Sequence, residues 1–223
     1  MKLVFFSSSI GHENDLLDEL LLSLINKNDP RFTYIPECSI FSHDDYIDFI
    51  NKFNAYGVSK FFYFPIDHHI NKISTQLAFD SDCIHLAGGN TFSFLWNLRE
   101  KNLMKKLRNF AKDGGVLCGT SAGSIILTKD IKLAGYPSFD KDDNEVGIKK
   151  LSSLNLVDFY FFPHFKSSKR YVEAIKSFSI KNKQKILACK DDSGVVVQNE
   201  KVEIVGDVYL FEAGKYHKLK STY

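Results

Sequence analysis

The sequence predicts an α/β fold: a mostly parallel sheet with helices on both faces, followed by short antiparallel β segments at the C-terminus. Three observations predict it. Short apolar runs alternate with amphipathic stretches of helical period along most of the chain. A Gly-x-Ser-x-Gly pattern, Gly119–Gly123, falls where a strand hands over to a helix, the setting of a nucleophile elbow. The last stretches, GVVVQ, KVEIVG and DVYLFEAG, read as β segments joined by tight turns.

Taken in order, Lys2–Phe6 (KLVFF) is a buried strand. Asp15–Lys27 carries Leu16, Leu17, Leu20, Leu21, Leu24 and Ile25 on a 3.6-residue stripe and is a helix. Phe32–Pro36 is the second strand, Asp44–Phe53 the second helix and Lys60–Phe64 (KFFYF) the third strand. Ile70–Phe79 is a weaker helix, and Cys83–Ala87 a fourth strand ending in Gly88-Gly89-Asn90. Thr91–Lys112 is helical in two pieces broken near Asn102, and Gly114-Gly115 stops it before the brief strand Val116–Cys118. A short helix, Ser124–Thr128, leads to the polar, acidic and turn-rich stretch Asp130–Lys150, expected as the longest surface loop. Asp158–Phe162 is a strand, Ser168–Ile180 a helix and Lys185–Ala188 another strand.

The 223 residues would suffice for one large domain or two small ones. With no Pro/Gly-rich linker and no repeat, one domain over 1–223 is expected. Hydrophobic residues at 44% and charged residues at 25% exclude disordered, collagen-like and coiled-coil chains. A net charge of +2 offers no field for gathering nucleic acid or an anionic membrane, so neither is an expected partner. The four cysteines are far apart without C-x-x-C, which points to buried thiols in a reducing compartment. The apolar run after Lys2 is too short for an export signal and no window reaches membrane-span length, so a cytoplasmic protein is expected, as a monomer or homodimer.

The chemistry starts at Gly119-Thr120-Ser121-Ala122-Gly123. A sharp strand-to-helix turn pushes the Ser121 hydroxyl clear of the sheet, and the Ala122 N–H can face a developing oxyanion. Without that role, the segment is a turn that needs small residues. Gly88-Gly89-Asn90-Thr91 also ends a strand, and the carboxyl ends of parallel strands gather in one crevice. Gly89 N–H is then the second oxyanion donor, while Asn90 or Thr91 can cap the next helix. Of seven histidines, His85 lies within a strand and reads as core, and His12, His43, His68 and His69 sit in polar loops or helix starts. His164 follows the strand Tyr160–Phe162, and His217 sits in a charged tail. Asp191 and Asp192 follow Lys185–Ala188. Two orders are open: Ser121, His164, Asp192 on three strand ends of one sheet, or Ser121, Asp192, His217 as in α/β-hydrolases. Position favours the first.

Ala87–Phe92 (AGGNTF), Gly119–Gly123 (GTSAG) and Pro163–Phe165 (PHF), in this order and spacing, resemble the peptidase E and cyanophycinase family of serine peptidases. Leu154-Asn155-Leu156, leading to Phe162–Phe165, is also similar to peptidase E, and the resemblance spans nearly the whole chain. It implies a fold similar to class I glutamine amidotransferases, with serine in place of their cysteine. It also implies catalytic Ser121 and His164, an oxyanion held by the backbone of Gly89 and Ala122, and the order serine, histidine, acid. Cyanophycinase-like members carry an acid in a turn that Asp191-Asp192-Ser193-Gly194 occupies here, with Asp192 aligned to it. Peptidase E itself uses an aspartate between serine and histidine, where this chain has Asp140, Asp142 and Asp143. Asp192 is the expected third member. Peptidase E prefers N-terminal aspartyl dipeptides through a basic residue after the histidine, for which Lys169 and Arg170 are the nearby candidates. Asn90 and Arg170 are the expected substrate-binding side chains.

The resulting expectation is a serine peptidase acting on short peptides, as a dipeptidase or aminopeptidase, through an acyl-enzyme and without metal or cofactor. The alternatives are an esterase with His217 as base, and a non-catalytic binding module on the same scaffold.

Overall fold

The computed structural model describes residues 1–8 and 15–223. His12 lies outside the described residues.

The first sheet starts with β1 (Lys2–Phe6), β2 (Arg31–Ile35), β3 (Lys60–Tyr63), β4 (Cys83–Leu86) and β5 (Val116–Thr120). These five run parallel in the order β3-β2-β4-β5-β1. Its far side continues antiparallel through β8 (Gly194–Gln198) and β9 (Lys201–Val205). Alternation sorts the residues of β1: Val4 and Phe6 meet the layer of α1 (Asp15–Ile25) and α2 (Ser42–Asn54), through Leu17, Leu21, Phe49 and Phe53. Leu3 and Phe5 face the opposite layer, which includes α4 (Thr91–Glu100), α5 (Leu103–Lys112) and α6 (Ala122–Leu127). The short α3 (Lys72–Phe79) joins that side through Ala78, its start fixed by a reciprocal Asn71–Ser74 capping box. The break between α4 and α5 falls at Asn102, in the left-handed region at φ 56°, a conformation asparagine tolerates.

The expected single sheet is corrected. β6 (Phe159–Phe162) and β7 (Lys185–Cys189) leave it and pair with β10 (Val208–Glu212) and β11 (Lys215–Lys218), in the order β11-β10-β7-β6. The reason lies in β6, whose FYFF run is buried on both faces. Phe159 and Phe161 stack on Phe5 of the first sheet at 5.5 and 5.4 Å between ring centroids. Tyr160 and Phe162 pack under α7 (Lys169–Asn182), with Tyr171, Val172, Ile175 and Phe178. The second sheet thus covers one face of the first and is itself covered by a helix. Asp130–Lys150 also departs from a plain surface loop, since it buries Ile131, Leu133 and Ile148 and contains a short 3-10 turn, Lys132–Gly135.

Candidate active site

Ser121 ends β5 and opens α6 with its backbone at φ 49°, ψ −108°, a strained region that surrounding structure must enforce. The carboxyl end of β1 does the enforcing. The Ser121 N–H donates to Phe6 O at 3.0 Å, and the Ser124 hydroxyl donates to Gly119 O at 2.6 Å while lying 3.0 Å from Phe6 O. Neither flanking glycine has room for a side chain: a Cβ at Gly119 would stand 2.4 Å from Gly123 C, and one at Gly123 only 2.1 Å from Leu86 O. Gly123→Ala is therefore expected to lose at least about 3 kcal/mol of stability, measured by urea unfolding. A loss under 1 kcal/mol would mean that the elbow is not sterically locked.

His164 follows β6, so it and Ser121 come from different sheets. Its Nε2 stands 3.0 Å from Ser121 Oγ, and its Nδ1 2.6 Å from Asp191 Oδ1. The carboxylate on the histidine is thus Asp191, and the expectation of Asp192 is corrected. Both residues sit at the centre of the turn closed by Ser193 N–H to Lys190 O at 3.2 Å. Asp192 takes a left-handed backbone, φ 61°, which turns its side chain away from its neighbour's direction. Its Oδ1 is buried without a hydrogen bond among the described residues. Ser7 is a residue that sequence reasoning missed. Its fully buried hydroxyl accepts the His164 N–H at 2.8 Å and donates to Cys189 O at 3.0 Å, tying the end of β1 to the ends of both β6 and β7. The only sequence signal was a serine run directly after a strand.

The remaining candidates separate clearly. Gly88 and Gly89 share a cavity wall with Ser121 and His164. Gly89, at φ 123°, packs so tightly on Glu37 that a Cβ would lie 2.8 Å from its Oε2. Neither the Gly89 nor the Ala122 N–H donates a hydrogen bond to another described residue, which leaves both free to meet an oxyanion. Asn90 does not reach the cavity. Its Oδ1 caps α4 by accepting from the Phe92 and Ser93 N–H groups, both at 3.0 Å, and its Nδ2 donates to Asp143 O at 2.9 Å. Arg170 is also absent from the cavity wall, because its guanidinium lies on the Phe139 ring at 3.4 Å from the centroid. Asp142 accepts from the Thr91 N–H at 2.8 Å and Asp140 from the Tyr171 hydroxyl, so these acids brace α4 and α7 rather than His164. His217 sits on β11, the edge of the second sheet opposite β6. His85 is 5% exposed and held between Cys118 Sγ and Thr120 Oγ1, as a core histidine should be. No group of three His, Cys, Asp or Glu side chains is placed to hold a metal ion among the described residues.

The cavity beside Ser121 has a volume of about 710 Å³, within the range of small-ligand sites. At its back, Asp18 is fully buried, with Lys52 Nζ 2.8 Å from its Oδ2. Burial pushes the Asp18 carboxyl up to about 6, against the opposing pull of Lys52. The folded protein therefore holds this proton more tightly than the unfolded chain, whose aspartate stays near 3.8. The stability it gives is complete below the lower value and is lost as pH rises through the upper one. Wild type should lose up to about 3 kcal/mol relative to Asp18→Asn between about pH 4 and pH 7, read by urea unfolding of both proteins. A constant difference across that interval would refute it.

A serine hydrolase is the class defined by a strained serine at a strand end with an imidazole on its hydroxyl. Peptidase family S51 matches residues 3–205, and the chain belongs to that family as a serine peptidase of the peptidase E type. Among similar proteins, an uncharacterized peptidase of Pasteurella multocida is 29% identical over 169 residues, covering 74% of this chain and 78% of its own. Peptidase E of Shewanella denitrificans is 26% identical over 171 residues, covering 73% and 66%. A crystal structure of a peptidase from an acI-B1 Actinobacterium superposes with a TM-score of 0.74 at 17% identity, covering 100% of this chain and 95% of that one. A Listeria monocytogenes structure assigned to peptidase E gives 0.69 at 20% identity, covering 98% of both chains. These two likenesses concern the fold. No helix among the described residues is long and apolar enough to cross a membrane.

Proposed function

We propose that this serine peptidase, acting as one catalytic domain over 1–223, hydrolyses short peptides through Ser121, His164 and Asp191. The relay from Ser121 Oγ to His164 Nε2 at 3.0 Å, and from Nδ1 to Asp191 Oδ1 at 2.6 Å, is the observation that carries this reading. Ser121 Oγ attacks the scissile carbonyl as His164 Nε2 removes its proton. Gly89 and Ala122 N–H groups receive the oxyanion, a type of contact worth roughly 2.7–4 kcal/mol per donor. His164 then passes the proton to the leaving amine, which departs and leaves an acyl-Ser121. A water deprotonated by His164 attacks that ester, the acyl–Oγ bond breaks to release the acid, and His164 returns the proton to Ser121 Oγ. Asp191 keeps the Nδ1 proton in place, which leaves the Nε2 lone pair facing Ser121. A cavity of about 710 Å³ suits a substrate of a few residues, which favours a dipeptidase or aminopeptidase-like activity.

A fluorophosphonate probe tests the nucleophile. Intact mass and peptide mapping should show one adduct on Ser121 of the folded protein and none on Ser121→Ala. Absence of labelling in folded wild type would return the chain to the binding-module reading.

A further inference from the structure

We propose that the cavity beside Ser121 receives a cationic group of the peptide, an ammonium or guanidinium, so that this peptidase selects positively charged substrates over aspartyl ones. The proposal rests on Ser121 being the nucleophile, and three features of the cavity carry it.

The first is charge. Asp15 and Asp18 from the start of α1 and Asp45 and Asp48 from α2 line the cavity, and Lys52 is the only lysine or arginine among its described lining residues. Lys52 is already committed to Asp18, at 2.8 Å. Among the described residues, Asp15, Asp45 and Asp48 have no lysine or arginine within ion-pair distance. Residues 9–14, SIGHEN, contain no lysine or arginine either. Asp45 reports the same imbalance, since burial and then the neighbouring Asp48 and Asp44 raise its carboxyl above the usual range.

The second feature is an unused acceptor. Asp18 is 0% exposed, and its Oδ1 takes no hydrogen bond among the described residues although it borders the cavity. A buried carboxylate oxygen without a donor leaves its negative charge poorly compensated, and that charge acts through space on a cation in the adjoining cavity.

The third feature is the floor. Phe6, Tyr34, Phe49, Phe53 and Tyr56 give the cavity aromatic faces, which attract cations in a desolvated site. Lys52 Nζ already stands 5.8 Å over the Phe6 ring, so one ammonium is accommodated there. A lining that combines aromatic rings and carboxylates suits a cation and repels an aspartyl side chain. The basic residues that could favour aspartate, Lys169 and Arg170, are not on this wall.

The cation has two possible sources, a lysine or arginine side chain or the free amino terminus. The test uses X-Ala dipeptides with X lysine, arginine, norleucine or aspartate, each with a free or an acetylated amino terminus. Binding to Ser121→Ala is measured by calorimetry, and turnover is measured with wild type. With a side-chain cation, acetyl-lysyl-alanine should bind at least tenfold more tightly than acetyl-norleucyl-alanine. With an amino-terminal cation, free norleucyl-alanine should bind at least tenfold more tightly than its acetylated form. Either result supports the proposal when free lysyl-alanine also binds more tightly than free aspartyl-alanine, which carries the same terminal ammonium. Adding Asp45→Asn and Asp48→Asn, both on the exposed side of α2, should cut the tenfold ratio at least threefold. Affinities within twofold across the whole series, or tightest binding of the aspartyl peptides, would overturn it. Turnover of the series without charge preference would sink this inference and leave the peptidase reading standing. Charge-selective binding with neither turnover nor fluorophosphonate labelling would do the reverse.

Discussion

His164→Ala is expected to lower kcat by roughly 10⁶-fold, as Ser121→Ala should, while His217→Ala leaves it within twofold of wild type. Serine and imidazole act as one unit, so losing either stops proton transfer at the 3.0 Å contact between them. His217 has no part in that contact, since it pairs with Leu210 on the far edge of the second sheet. Steady-state kinetics on any cleaved dipeptide decides the matter. A large loss in His217→Ala with near-normal His164→Ala would restore the α/β-hydrolase order. The double variant Ser121→Ala/His164→Ala should be no slower than either single variant, because both remove the same step.

Asp191→Asn should lower kcat by about 10³- to 10⁴-fold with little change in KM, whereas Asp192→Asn should keep kcat within about fivefold. An asparagine at 191 can hold the ring in the wrong tautomer, with Nδ1 accepting and Nε2 protonated, and then Nε2 cannot take the Ser121 proton. The side chain of Asp191 is 55% exposed and that of His164 44%, so solvent screens part of the electrostatic benefit. That places the loss at or below the size known for a buried triad acid. If Asp192→Asn proved the slower enzyme, the carboxylate would have to change places in the substrate complex.

The elbow was legible in the sequence because its requirement is local. A serine between two glycines at a strand-to-helix junction has few other reasons to exist, and the 2.1 Å clearance at Gly123 shows how strict that reason is. His164 was legible from its place after an aromatic strand, and the break at Asn102 from helix periodicity. Asp191 and Asp192 could not be told apart, because a left-handed φ at one of two adjacent residues decides which side chain meets the imidazole. The second sheet was hidden for a different reason. FYFF reads as a strand buried on both faces wherever it pairs, and partner choice depends on contacts such as Phe5–Phe161 that no window of sequence contains. Asn90 carried two readings, and the helix cap absorbed its side chain. The acidic cavity wall gave no signal, since Asp45 and Asp48 look like the solvated side of an ordinary amphipathic helix until α2 is seen beside Ser121.

The last two groups of β1 and its sequel, Phe6 O and Ser7 Oγ, grip the serine turn and the histidine turn respectively. Ser121 and His164 are therefore mounted on separate plates, stacked face to face through Phe5, Phe159 and Phe161 and hydrogen-bonded together at one corner. A slip of about 1 Å along the seam would uncouple them while both hydrogen-bond ladders stayed whole, and misplacement of that size can cost about 10² in rate. Turnover in this peptidase is thus a gauge of plate alignment, more sensitive than any measure of secondary structure. Under mild denaturant the enzyme should fall silent before it begins to melt.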